Sequence, residues 1–156
     1  MRTVIKGMPT EDACHIQSGG LDANGDKPEI VISDGSGSQC RHCLRLIEEG
    51  EEMYVLSYKP FETSQPYAER GPIFLHARNC KPHSCNGDLP DALKVVSQMI
   101  VRGYNNQERI VYGTGKVVPQ EEIQQYASDL LAKEEVEFVH VRSSGYNCFQ
   151  ARIDRA

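Results

Sequence analysis

Two short cysteine and histidine spacings constrain this chain more than any other feature. Cys40-Arg41-His42-Cys43 is a C-x2-C pair, and His76 is followed by Cys80. One pair alone is only suggestive, but two short-spaced pairs can close a tetrahedral metal site. The stretch between them holds two strand-like segments. Glu51 to Tyr58 is rich in strand formers, with Met53, Val55 and Ser57 on one face and Tyr54, Leu56 and Tyr58 on the other. Ile73 to His76 reads as the second. If the two pair as an antiparallel hairpin, the start of the first lies beside the end of the second. Both ligand pairs then arrive at the same end of the hairpin.

Thiolate and imidazole donors in a tetrahedral set suit zinc, and four protein ligands leave no open position. The expectation is a structural Cys3His zinc site from Cys40, Cys43, His76 and Cys80, contributing folding free energy. His83 and Cys85 lie in the same loop and are alternatives to His76 or Cys80. His42, inside the first pair, reads as a solvated neighbour. Cys14 and His15 are adjacent, a poor spacing for chelation. A redox C-x2-C pair normally opens a helix after a strand, whereas this one follows a Gly/Ser loop.

Composition narrows the class. At 156 residues the chain suits one domain, large enough to bury a core without disulfides. A net charge of −5 without a basic run disfavours broad phosphate-backbone binding, so a nucleic-acid partner is not expected. No apolar stretch approaches the roughly 20 residues of a membrane span, and Met1 to Thr10 lacks a hydrophobic signal core. The reading is a cytoplasmic protein without membrane association. In a reducing compartment its six cysteines point to metal ligands or a working thiol.

Residues 1–38 read as an irregular segment of turn chemistry, with one short strand at Glu29 to Ile32. Residues 39–156 read as the folded domain. A short helix opens at Pro90 and runs to about Val95. Met99 to Tyr104 and Arg109 to Tyr112 read as strands around a turn at Asn105-Asn106. The longest helix starts near Pro119, with Glu121 and Glu122 in its first turn and an apolar stripe at Ile123, Tyr126, Ala127, Leu130 and Leu131. Val136 to Arg142 and Cys148 to Ile153 form a last hairpin. Consecutive hairpins without a βαβ repeat predict a single α+β domain: an antiparallel sheet, one long helix and a zinc-knuckle-like metal site. Gly113-Thr114-Gly115-Lys116 lacks the first glycine of a phosphate loop and reads as a turn.

The last hairpin carries a second candidate site. By strand alternation Phe138, His140 and Arg142 share a face, as do Cys148, Gln150 and Arg152. If the polar faces coincide, His140, Arg142 and Cys148 gather with Tyr146 and Asn147, and a cysteine beside histidine and arginine could act as a catalytic nucleophile. Arg102 and Tyr104 could add anion recognition. The loop from Pro66 to Pro72 is stiffened at both ends and could shape a binding edge.

Several segments together resemble the small bacterial proteins grouped as domain of unknown function 1203: Cys40-Arg41-His42-Cys43-Leu44, Pro66-Tyr67-Ala68-Glu69, Gly71 to Ala77, Arg102-Gly103-Tyr104 and Gly145 to Arg152. The resemblance spans about Gln39 to the C-terminus. It implies a bacterial, cytoplasmic protein and no established activity. It also implies Cys40 with Cys148 as an alternative working pair. The expected role is a zinc-stabilised binding or accessory domain for an unidentified ligand or protein partner. A thiol-dependent enzyme using Cys148, His140 and Arg142 is the alternative.

Overall fold

The computed structural model describes residues 1–84 and 87–156. Its strands are β1 (Thr3–Lys6), β2 (Glu29–Ile32), β3 (Glu52–Tyr58), β4 (Gly71–His76), β5 (Gln98–Tyr104), β6 (Lys116–Pro119), β7 (Phe138–Ser143) and β8 (Phe149–Arg155). Its helices are α1 (Thr10–Gln17), α2 (Asp91–Lys94) and α3 (Ile123–Leu131), the last extended at its start by a 3-10 turn over Gln120–Glu122. The fold is α+β. The strands form two antiparallel sheets rather than one, a five-stranded sheet in the order β1-β8-β7-β5-β6 and a three-stranded sheet in the order β2-β3-β4.

The larger sheet buries one face by a simple rule. Met99 and Val101 on β5, Val139 and Val141 on β7, and Ala151 and Ile153 on β8 alternate along their strands. They pack with Ile123, Ala127, Leu130 and Leu131 of α3. The apolar stripe of α3 is therefore the cover of this face. The opposite face is also buried along β7, where Phe138, His140 and Arg142 lie under the loop that carries Phe61. The smaller sheet pairs Leu56 with Ile73 and Tyr54 with Leu75. It packs in a second apolar cluster with Cys40, Cys43 and Ile47 and with Met8, Ala13 and Ile16 from the α1 region.

Residues 1–38 hold the expected strand at Glu29–Ile32, which is β2, and two elements beyond the irregular segment expected there, β1 and α1. The four residues of β1 and the eight of α1 are too short for a periodic signal, and α1 buries only Ala13 and Ile16. The hairpin after β5 also differs. Glu108 and Gly113 adopt positive φ (60° and 86°), so Arg109 to Tyr112 forms no strand beyond a single bridge from Ile110 to Tyr104. The chain instead pairs β6 with β5, Lys116 opposite Val101.

Ile153 is fully buried between α3 and the sheet. Ile153→Ala is expected to lower unfolding free energy by about 2–5 kcal/mol in chemical denaturation. Ile30→Ser, at a side chain 60% exposed on the edge strand β2, is expected to stay within about 0.5 kcal/mol of wild type.

Candidate metal centre and the adjoining polar cavity

The loop that bears the first cysteine pair is a tight backbone knuckle. Cys40 N donates to Arg45 O (2.9 Å), Leu44 N donates to Cys40 O (3.0 Å), and Leu44 takes the left-handed conformation that closes such a turn (φ 55°). The knuckle docks directly on β4, where Arg41 N donates to Phe74 O (3.0 Å) and Cys40 bridges Phe74 in parallel. Meanwhile β3 and β4 pair so that Met53 faces His76, with Cys80 just beyond. The expected convergence at one end of the hairpin is present, and the direct bond from knuckle to β4 makes it tighter than the hairpin alone would.

Cys40, Cys43, His76 and Cys80 each offer one ligand atom, and these atoms all lie within 4.8 Å of one another. The first three residues are buried and Cys80 is half-buried. Cys40 Sγ lies 3.8 Å from Cys80 Sγ, and Cys43 Sγ lies 3.4 Å from His76 Nδ1. His76 N donates to Cys40 Sγ (3.5 Å). This group could hold a metal ion. Hydrogen bonds from Cys43, Cys80 and His76 hold the Cys40 thiol far below the usual thiol range, and His76 is pushed up to about 10 by its contacts with Cys40 and Cys43. The same neighbours push the Cys80 thiol up. One thiolate beside one imidazolium is therefore comfortable, while further thiolates repel one another. A bound cation is what would let all three sulfurs ionise together.

Residues around these four complete the site. Glu51 Oε2 sits 3.4 Å from His76 Nε2, behind the ring, and Arg78 holds the same carboxylate at 2.9 Å. A carboxylate behind a ligating imidazole orients the ring and raises its basicity. His42 is not solvated as expected but 1% exposed. Its Nδ1 contacts Cys80 Sγ (3.1 Å) and its Nε2 contacts Thr10 Oγ1 (2.9 Å). Gln17, at the other end of α1, donates to His76 O (3.0 Å) and Arg78 O (2.9 Å). Helix α1 thus grips the site from both ends. Sequence reasoning missed Thr10 and Gln17 because α1 itself was not legible. Glu51 could have been found by placing His76 opposite Met53 in the hairpin. His83 lies outside the cluster, Cys14 is exposed, and Cys85 falls outside the described residues.

The second candidate site is arranged differently from strict alternation. A bulge between Val141 and Arg142 sets Phe149, not Gln150, opposite Arg142, while Arg152 stays opposite His140. Phe149 therefore joins the His140 face. Cys148 and Arg142 line one cavity of about 170 Å3 with Glu69, Tyr146 and Asn147. His140 lies behind Arg142, with Arg142 Nη2 donating to its Nδ1 (3.2 Å) and the rings of Phe61, Tyr104, Phe138 and Phe149 within 5.2 Å. Arg102 donates to the Tyr104 hydroxyl through Nη2 (2.8 Å). The Cys148 Sγ contact is Tyr146 O, at 3.8 Å. Cys40 and Cys148 thus belong to separate clusters. Arg41 joins the two: its Nε donates to Phe149 O (2.5 Å) from inside the knuckle.

Burial holds His140 well below its ordinary 6.5, with the charges of Arg142, Arg152 and Arg102 adding to the effect. The ring is neutral when folded and takes up a proton on unfolding. Its contribution to stability is present above about pH 6.5 and is lost as pH falls below it, by about 1.4 kcal/mol per pH unit at the steepest. His140→Gln keeps an acceptor for Arg142 but cannot be protonated. Urea-unfolding free energies between about pH 7 and 5 are expected to fall less steeply in this variant than in wild type.

Comparison with known proteins adds a family label. No curated protein and no solved structure matches the chain. The family described as Protein of unknown function (DUF1203) matches residues 37–155, which include all four clustered cysteine and histidine residues and the Arg142–Cys148 cavity but leave out α1. No helix among the described residues is long and apolar enough to cross a membrane. The chain belongs to the DUF1203 family, a family of unknown function.

Proposed function

We infer that Cys40, Cys43, His76 and Cys80 hold one zinc ion in a closed structural site, and that the protein is a metal-stabilised binding or accessory domain of the cytoplasm. The observation that carries this reading is the meeting of four donor atoms within 4.8 Å in a mostly buried pocket. Zinc–sulfur bonds of about 2.3 Å imply sulfur–sulfur edges of about 3.8 Å in a tetrahedron. The Cys40–Cys80 separation of 3.8 Å supports that size. Three sulfurs and one imidazole nitrogen favour zinc over magnesium or calcium, which prefer oxygen. With four protein donors no position is open for substrate, so the metal's work is to tie α1, the knuckle and β4 together.

Purified protein is expected to carry one zinc per chain by elemental analysis. Chelation, or Cys43→Ser, is expected to lower Tm by about 10 °C, matching a loss of about 3–5 kcal/mol in a chain of this size. Metal-free protein whose melting ignores chelators would refute the reading.

The second reading, a thiol-dependent reaction at Cys148 with His140 and Arg142, is favoured by the cavity that Cys148 and Arg142 share. It is weakened by the position of His140, whose Nδ1 accepts from Arg142 rather than engaging the thiol. Iodoacetamide labelling tests it. A catalytic thiol would react faster than the exposed Cys14 and would slow in His140→Gln. Slower reaction than at Cys14, unchanged by His140→Gln, would remove it.

A further inference from the structure

The cavity beside Arg142 contains a built carboxylate site, and the protein's own Glu69 occupies it. Arg142 Nη1 and Arg102 Nη2 each lie 3.1 Å from the same oxygen, Glu69 Oε1. Asn147 Nδ2 approaches Glu69 Oε2 at 3.4 Å. Donors from β5, β7 and the β7–β8 turn thus converge on one carboxylate. Both arginines are fixed from behind: Arg102 by the Tyr104 hydroxyl, and Arg142 by His140 Nδ1 and Asn147 O (3.0 Å).

The two sides of this contact are unequal. The Arg142 side chain is 3% exposed and that of Glu69 is 42% exposed, on the loop between Pro66 and Pro72. Burying a guanidinium is costly, and a half-exposed carboxylate compensates it weakly. A purely structural contact gains little from such an arrangement. Two buried polar atoms beside the cavity also lack hydrogen-bond partners among the described residues, Arg142 Nε and Asn147 Oδ1. The orientation of the Asn147 amide follows from its contact with Glu69, which requires the NH2 group to face the carboxylate. Its oxygen is therefore a free acceptor. One spare donor on the arginine and one spare acceptor on the asparagine, in the lining of the same cavity, suit a ligand with a carboxylate and a neighbouring O–H or N–H. Tyr58 and Phe149, on the cavity wall, supply apolar surface for its carbon body.

We propose that this cavity binds a small hydroxy- or amino-carboxylic acid, and that Glu69 is an internal stand-in which the ligand's carboxylate displaces. Binding is non-covalent. The site is independent of the metal reading, and the full-length protein as purified is used throughout the test. Lactate and mandelate serve as probes, with mandelamide as the uncharged control. Binding is read from 15N–1H NMR shifts of the Arg142 Nε–H and of the Asn147 and Cys148 amides at low salt. Both acids are expected to produce saturable shifts, and mandelamide none. Glu69→Gln removes the competitor and is expected to tighten binding about tenfold, because the open form becomes the populated one. Asn147→Asp, in a turn position that tolerates aspartate, places a repelling charge in the site and is expected to abolish binding in either background. Saturable shifts by neither acid would overturn the proposal. So would equal shifts from mandelamide, or a Glu69→Gln protein that melts lower yet binds no tighter.

Discussion

The hydrogen bond from Arg41 N to Phe74 O, at 3.0 Å, is the contact on which the rest of the molecule depends. It lays the knuckle against the end of β4 and so brings the two ligand pairs into one cluster. The Arg41 side chain continues the connection. It is buried, it donates to Phe149 O (2.5 Å) and Gln39 O (2.7 Å), and burial lowers it to about 10. A cation held by backbone carbonyls in this way links the smaller sheet to the first residue of β8. The route from β1 to α1 also passes tightly over the knuckle. A Cβ on Gly7 would meet Arg41 O at 2.3 Å, and Met8 N donates to that same oxygen at 2.7 Å.

The two faces of the larger sheet differ in kind. One face is aliphatic and covered by α3. The other carries Arg102, Tyr104, Phe138, His140 and Arg142, with polar atoms lodged among rings. A buried polar layer of this kind is expensive unless its members satisfy one another. Most of them do: Arg142 to His140, Arg102 to Tyr104, and both arginines to Glu69. Two atoms left unsatisfied among the described residues, Arg142 Nε and Asn147 Oδ1, belong to residues that line the cavity, while His140 Nε2 is unpartnered among the rings behind it. The cysteine knuckle and this cavity are neighbours through Arg41, whose Nε donates to Phe149 O at the start of β8.

The parts of this fold that were legible in the sequence are those with a strong local pattern. The C-x2-C and His76/Cys80 spacings identified the four clustered residues, the run of strand formers identified β3, and the apolar stripe identified α3, the cover of the larger sheet. What was not legible is tertiary in origin. Four residues of β1 become a strand only because Ile5 pairs with Ile153 at the far end of the chain. The apolar face of α1 is two residues wide and gains meaning only against the knuckle. His42 looked solvated because nothing local shows that Thr10 would close over it. The bulge that swaps Phe149 for Gln150 on the cavity side breaks the period-two rule that strand reading relies on.

Zinc K-edge absorption spectroscopy on the purified protein tests the central claim most directly, because it reads the metal and its ligand shell together. The account predicts a four-coordinate zinc with three sulfur neighbours at about 2.3 Å and one nitrogen at about 2.0–2.1 Å, the shell reduced to two sulfurs in Cys43→Ser. A zinc surrounded by oxygen or water, or a shell unchanged by Cys43→Ser, would contradict it.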